Sequence, residues 1–416
     1  MTQYFGYTSP QNVRNLNKHA ALDLIRFTAG GISRVELAHR MALSRAAVTS
    51  IVNDLLETEI VREAESRSVN SGRPPIILEI NPNNDCVAGV DMGATHISIV
   101  VANYAANFIL EKEIPFNIAL GPKPCLSQAN DLLLDVLSEA SISLEQVKAI
   151  GVGVPGPIAS DAGMVVAPPI MPGWDRFPIR ATLEKMWGCP VSLNNDAELG
   201  ALGEWAYGAG RGVRNLAYIK VGTGIGAGLL LDGQIYHGAT GSAGEIGHLT
   251  IDENGPMCTC GNRGCLEALT GGQAIASQAQ EAVHNGKRTI LSEIVPVERI
   301  SAQDVAGAAR QGDLISQQIL ARAGSHLGIA IAGLVNIFNP NMVVVGGGVA
   351  QIGDLFLEPV RQAVQRRSLP AAAHAVRITT ALLGRRSSSM GAVVQALTIA
   401  LHHLAEGKEV RKVPVT

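Results

Sequence analysis

Apolar positions in the first eighty residues repeat at helical spacing and then change to strand spacing. Leu16, Ala20, Leu24 and Phe27 mark one face of a helix over 16–29, which Gly30-Gly31 ends. Ser33 and Glu36 have capping-box spacing, in which the hydroxyl and the carboxylate each satisfy a free backbone N–H. Apolar residues recur at Leu37, Ala38, Met41 and Leu43, then at Val48, Ile51, Val52 and Leu55, with Ser44 placed to cap a further helix over 45–56. Ala38, Ala42 and Val48 suit a helix-turn-helix, because two steeply crossing helices leave room only for small residues in the first helix and the turn. From residue 59, Ile60-Val61 and Ile76-Ile77-Leu78 flank a polar stretch ending Ser71-Gly72-Arg73-Pro74-Pro75, which predicts a β-hairpin with Arg67 and Arg73 at its tip. Three helices and such a wing predict a winged helix-turn-helix over 1–80.

The second of the paired helices presents Ser44, Arg45, Ala46, Ala47, Thr49, Ser50 and Asn53 outward. These short side chains are able to approach base edges in a major groove while Arg45 reaches a guanine or a phosphate. The solvated face of a small helical bundle has a similar pattern. Over 1–80 nine Lys/Arg stand against eight Asp/Glu, so much of any phosphate binding falls to helix ends and polar groups, and a dimer reading two half-sites offsets a weak single module.

Asn81-Pro82-Asn83-Asn84-Asp85 reads as a linker. The apolar run 87–101 then breaks at Asp91-Met92-Gly93-Ala94-Thr95, predicting strand, tight turn, strand. Gly93 and Thr95 there suit anion binding and Asp91 a metal-bound water, although an ordinary hairpin looks the same. A second such unit spans 217–231 with Thr223 and Gly224 in its turn, about 130 residues on, which predicts two lobes and a cleft. Asn195 and Asp196 stand where a strand enters a helix. A carboxylate there caps the helix, or Asp196 faces the cleft as a base for a sugar hydroxyl. The charge-free stretch Ala323–Gly353, interrupted by Asn336, Asn339, Pro340 and Asn341, predicts a buried helix and a buried strand rather than a membrane span, and Gly347 follows where a strand feeds a nucleotide-facing helix.

Composition sharpens this division. The chain has 416 residues, 45 of them glycine, with only 4 in residues 1–85 and 18 in residues 201–272. A net charge of −3 excludes a basic nucleic-acid coat but leaves room for a local DNA-binding module. The first residues show no export signal, and a cytoplasmic chain without a membrane partner is expected. Cys86, Cys125 and Cys189 are isolated and read as small buried hydrophobes. Cys258, Cys260 and Cys265 cluster downstream of His248, and this set of four suits a closed, structural Zn²⁺ site that fixes the loop and orients Glu245.

The stretch from Thr223 to His248, with its Gly-Glu-Ile-Gly-His segment, together with the Cys-x-Cys-x4-Cys loop, resembles the ROK family of repressors and sugar kinases. With the added N-terminal module, the chain resembles the family's xylose-repressor or N-acetylglucosamine-repressor branch. The resemblance implies an α/β chain: an N-terminal winged helix-turn-helix followed by a two-lobe actin-like ATPase (ribonuclease H-like) fold. Lobe 1 would span 86–200, completed by a C-terminal helix near 388–405. Lobe 2 would span 201–387, with the zinc loop and a dimerisation surface. Sugar contacts map onto Asn195, Asp196, Glu245, His248 and Glu267, with Asp196 as the kinases' catalytic base. Zinc ligands map onto His248, Cys258, Cys260 and Cys265. Phosphate contacts map onto Asp91, Gly93, Thr95, Thr223, Gly224 and Gly347. ATP with Mg²⁺ is thereby implied, but Ala94 and His96 replace the glycine and lysine of the kinase loop, and the Ala94 methyl is expected to crowd the phosphates or the sugar. The expectation is a cytoplasmic, sugar-responsive repressor of carbohydrate genes, dimeric or tetrameric, whose partners are an operator duplex and a sugar or sugar phosphate. The alternative is an ATP-dependent hexose or amino-sugar kinase with an appended DNA-binding domain.

Overall fold

A computed structural model describes residues 10–65, 76–82, 85–159, 162–168 and 170–407. The helices α1 (Pro10–Phe27), α2 (Arg34–Met41) and α3 (Arg45–Glu57) come first, and β1 (Val61–Glu65) pairs antiparallel with β2 (Ile76–Ile80). Arg67 and Arg73, expected at the tip of this hairpin, lie outside the described residues. The Ser33 hydroxyl accepts the Glu36 N–H at 3.2 Å, but the Glu36 carboxylate pairs with Arg40 rather than returning to Ser33. Only half of the expected capping box forms, because a cation one turn on outcompetes a backbone N–H on an exposed face. Ala42 turns the chain in the left-handed region (φ 53°) between α2 and α3, while Ala38 and Val48 are buried. Ser44 caps α3 by accepting the Ala47 N–H at 3.2 Å.

The remainder repeats one topology twice. In the first sheet, β3 (Cys86–Met92), β4 (His96–Asn103) and β5 (Phe108–Pro115) form an antiparallel meander. Helix α4 (Pro122–Glu139) crosses to β6 (Val147–Val154), parallel to β3. A ribbon of β7 (Ile158–Ala159) and β8 (Met164–Val165) and the helix α5 (Ile179–Trp187) lead to β9 (Val191–Asn195), parallel to β6. After α6 (Asp196–Tyr207), the second meander is β10 (Leu216–Val221), β11 (Ile225–Leu231) and β12 (Gln234–Ile235). The helices α7 (Leu266–Thr270), α8 (Gly272–His284), α9 (Leu291–Ile294), α10 (Ala302–Arg310) and α11 (Leu314–Phe338) intervene. Then β13 (Met342–Gly346), parallel to β10, is followed by α12 (Asp354–Arg367), α13 (Pro370–Ala375) and β14 (Arg377–Thr380), parallel to β13. The sheet orders β5-β4-β3-β6-β9 and β12-β11-β10-β13-β14 are equivalent, so the chain has the two-lobe, actin-like α/β architecture. Central strands such as β3 and β13 are buried at every position, which explains their apolar runs, broken within β3 by Asp91 alone.

Helix α11 is, among the described residues, the one helix long and apolar enough to cross a membrane, but 56% of that window is buried in protein. Asn336 does not interrupt it, contrary to expectation. Its side-chain oxygen accepts the Leu369 N–H instead, and α11 runs to Phe338, where Asn339 ends it in the left-handed region.

Helix α14 (Ser387–Ala405) joins the parts, packing across β3, β6 and α6. It crosses α6 so closely that a Cβ on Gly203 would collide with the Ser387 carbonyl, and one on Gly391 with that of Leu199. On its other side lies α1, where buried Arg26 donates to the Thr398 hydroxyl at 2.8 Å and the Val394 carbonyl at 2.6 Å. Ala21, Leu22 and Ile25 share one apolar cluster with Val393, Leu397 and Leu401. The N-terminal unit is therefore packed onto lobe 1 and not merely tethered by residues 81–85.

Candidate sugar cleft and metal loop

The strand β9 ends and α6 begins at the bottom of the cleft. Asn195 caps α6, its side-chain oxygen accepting the N–H groups of Ala197 (2.8 Å) and Glu198 (3.2 Å), and it donates to the Gly156 carbonyl at 3.0 Å. The helix is thus capped by an amide, not by the carboxylate considered from the sequence. This leaves Asp196, the first residue of α6, free to face the cleft. Asn195, Asp196, Glu245, His248 and Glu267 all line one cavity of about 260 Å³, together with Gly93, Ala94 and Thr95. That volume is just below the roughly 300–1,000 Å³ common for ligand pockets and suits a monosaccharide rather than a nucleotide. One oxygen of Glu267 already accepts the Ile225 N–H at 3.0 Å, which leaves the other for a ligand. Burial pushes the Glu245 carboxyl above its ordinary range, against the opposing pull of His248.

Gly244 holds the chain beside Glu245 at φ 88°, where a Cβ would strike the Ala227 carbonyl. Further on, β-bridges pair Thr250 with Cys265 and Met257 with Arg263, folding the cysteine loop back on itself. One ligand atom from each of His248, Cys258, Cys260 and Cys265 falls within 4.8 Å of the others. Cys260 Sγ lies 3.7 Å from Cys265 Sγ, and Cys258 Sγ lies 3.7 Å from His248 Nδ1. A tetrahedral ion with Zn–S of about 2.3 Å and Zn–N of about 2.0 Å spaces its ligands by roughly 3.5–3.8 Å, so the four atoms fit a metal ion. The imidazole divides its duties: Nδ1 faces the thiol cluster, and Nε2 stands 4.0 Å from Glu245. His248 can therefore serve the metal and the cleft at once.

A larger cavity of about 1020 Å³ adjoins the first and is lined by Asp91, Thr95, Thr223 and Gly347, while Gly93 and Gly224 line only the smaller one. Ala94 sits half-buried against the lobe 1 core and lines the smaller cavity, and a Cβ on Gly93 would meet the His96 ring at 3.0 Å. The sequence reading missed Lys220. Its ammonium donates to Asp196 at 2.9 Å and stands 3.6 Å from Asp91, where the two cavities meet. Burial disfavours this ammonium, but Asp196 and Asp91 outweigh that effect and hold its pKa above the ordinary lysine value. Burial pushes the Asp91 carboxyl up, with Lys220 opposing.

Ser44, Arg45, Ala46, Thr49, Ser50 and Asn53 are exposed, apart from the cleft, while Val48, Ile51, Val52 and Leu55 are buried. Thr49 donates to the Arg45 carbonyl and Asn53 accepts from Arg34, so part of this polar face is already engaged within the unit. Cys86, Cys125 and Cys189 are buried and free, and burial pushes the thiols of Cys86 and Cys189 up to about 12.

A second tether reaches the cleft loop from α6. Glu198 is 3% exposed and lies 2.9 Å from Nδ1 of His237, raising that imidazole's pKa chiefly through the hydrogen bond. Because the folded value exceeds the unfolded 6.5, the contact contributes fully below 6.5 and weakens as pH rises through the folded value. Hydrogen exchange over residues 236–244 is expected to quicken, relative to the intrinsic rate, between pH 6 and pH 8. Glu198→Gln should flatten that dependence, and an unchanged profile in the variant would remove His237 from the account.

The ROK family profile matches residues 87–399. The chain belongs to the ROK family. This ROK chain is 31% identical to the xylose repressor of Caldicellulosiruptor bescii over 88% of its own length and 92% of that protein. A ROK family transcriptional regulator, a homologue of Escherichia coli Mlc, superposes with a TM-score of 0.80 at 26% identity, covering 95% of this chain and 99% of that one. A Streptomyces griseus ROK glucokinase, solved with glucose and AMPPNP, superposes with a TM-score of 0.66 at 28% identity, covering 75% of this chain and 99% of the glucokinase.

Proposed function

We propose that this ROK protein is a sugar-responsive transcriptional repressor of carbohydrate genes, binding operator DNA through a winged helix-turn-helix and sugar between its lobes. The observation that carries the reading is the extent of the likeness. The regulator matches 95% of the chain, whereas the glucokinase, complete at 99% of its own length, matches only 75%. What the kinase comparison leaves over is the size of the unit formed by α1–α3 and the β1–β2 hairpin.

In this reading α3 enters the major groove with Arg45, Ala46, Thr49, Ser50 and Asn53, Ser44 caps it beside a phosphate, and Arg67 and Arg73 reach the backbone or minor groove. Two protomers engage two half-sites. His248, Cys258, Cys260 and Cys265 would hold Zn²⁺, which would supply a structural cross-link for the loop; Nε2 of His248 faces the sugar, Glu245 and Glu267 accept from its hydroxyls, and Asp196 accepts through the oxygen not used by Lys220. A sugar contacting both lobes binds the closed arrangement better than the open one and so shifts the population. Closure reaches the DNA unit through α14, because Ser388 donates to the Asp196 carbonyl at 2.8 Å while Arg26 of α1 holds the same helix at Val394 and Thr398, six and ten residues on.

Fluorescence anisotropy with DNA selected by the protein, followed by a panel of pentoses, hexoses, amino sugars and their phosphates, tests the reading. One member of the panel should release the DNA, and Arg45→Ala should weaken operator binding about tenfold, in line with roughly 1–3 kcal/mol for a good base contact. DNA binding that no sugar changes would refute it.

A further inference from the structure

We infer that Lys220 is a built-in counter-cation that closes this cleft to a divalent metal–nucleotide complex, so that the protein binds its sugar without phosphorylating it. Phosphoryl transfer from a nucleotide needs two things at this place: a cation bridging the phosphates, and a carboxylate free to take the proton of the attacking hydroxyl. The geometry withholds the first. A divalent ion in such a site requires carboxylate oxygens. Asp91 has one oxygen turned to Lys220 at 3.6 Å. Its other oxygen is buried without a hydrogen-bond partner, against Gly153, where a Cβ would stand 3.3 Å away. Asp196 has one oxygen bonded to the same ammonium at 2.9 Å, and the Ser388 hydroxyl takes a further Lys220 donor at 3.3 Å. An ion placed among these carboxylates would be pressed against a fixed positive charge in a poorly solvated site.

The same contact occupies one oxygen of Asp196, at 2.9 Å, and leaves the other to accept from and orient a sugar hydroxyl. The Mg²⁺–ATP implied by family resemblance therefore does not fit these residues as they stand. Lys220 comes from lobe 2 and Asp91 and Asp196 from the floor of lobe 1, so the ammonium also ties the lobes across the cleft where the two cavities meet.

This inference rests on the sugar cleft of the regulator reading. It is tested by titrating Mn²⁺ with AMPPNP into zinc-loaded, full-length protein and reading bound Mn²⁺ by electron paramagnetic resonance. Wild type should bind no Mn²⁺–AMPPNP at micromolar concentrations, with or without sugar. Lys220→Ser should bind it at least tenfold tighter than wild type, and adding Asp91→Asn should cancel the gain. Micromolar binding by wild type overturns the inference whether or not the variant folds, as does a folded Lys220→Ser protein indistinguishable from wild type. Sugar-driven operator release on the same wild-type preparation judges the regulator reading separately: its failure leaves the Mn²⁺ result standing, and the reverse also holds.

Discussion

Cys265→Ser protein is expected to be purified without its metal and to bind sugar at least about a hundredfold more weakly than wild type, while still binding operator DNA. Structural zinc sites derive their folding energy from a complete ligand set, and even partners outside that set are worth about 10–100-fold in affinity or activity. Cys265 is the most deeply buried cysteine of the cluster, at 0% exposure, and it is the N-cap residue of α7, which carries Glu267 two residues on. Its loss should release both arms of the sugar site. His248 would no longer have Nδ1 fixed, so Nε2 would lose its orientation toward Glu245, and Glu267 would lose the anchored start of its helix. Metal content by mass spectrometry and sugar titration by calorimetry check this, with anisotropy on operator DNA as the control. Metal-free variant with wild-type sugar affinity would show that the loop does not shape the cleft.

The features legible in the sequence were those whose partners lie close along the chain. The Cys₃His cluster needed only four residues within eighteen positions, and the exposed face of α3 followed from the burial of Val48, Ile51, Val52 and Leu55 at helical spacing. The two lobes were legible because each begins with a hairpin of the same kind. What escaped depends on contacts between distant segments. Lys220 is the one charge in the strand Leu216–Val221, and that isolation was a usable signal, but its partner Asp91 comes from the other lobe. The crossing of α6 and α14 was likewise hidden, although Gly203 opposite Ser387 and Gly391 opposite Leu199 are the small residues such a crossing requires. Asn195 and Asp196 were read in the right place with the capping role open. The amide prevailed because an Asn at the N-cap satisfies two N–H groups and leaves the carboxylate for the cleft.

The α6–α14 crossing is also where the largest loss of stability is expected. Glu204, on α6, has 0% exposure, yet from the sequence it resembles any acid on a helix surface. Its carboxylate accepts from the N–H groups of Ala209 (2.8 Å), Leu382 (3.0 Å) and Leu383 (2.9 Å) and from the Ser387 hydroxyl (2.8 Å). Three of these donors belong to the segment that starts α14, so one side chain holds the two helices in register and ends the chain's return from lobe 2. Glu204→Ala would leave three part-buried N–H groups facing a cavity, while the Ser387 hydroxyl would keep the Gly384 carbonyl at 2.9 Å. Each unsatisfied buried donor costs about 1–3 kcal/mol, and because relaxation is shared the total should be about 3–5 kcal/mol. Glu204→Gln keeps the shape and one acceptor oxygen but turns an amide NH₂ toward the remaining donors, so it should cost less than the alanine but more than about 1 kcal/mol. Urea denaturation checks both, as a lower midpoint at unchanged slope. The ordering Ala worse than Gln matters as much as the size. If the glutamine variant were the more damaged, charge rather than donor satisfaction would hold the crossing, and if both matched wild type, α14 would be held by its apolar face alone.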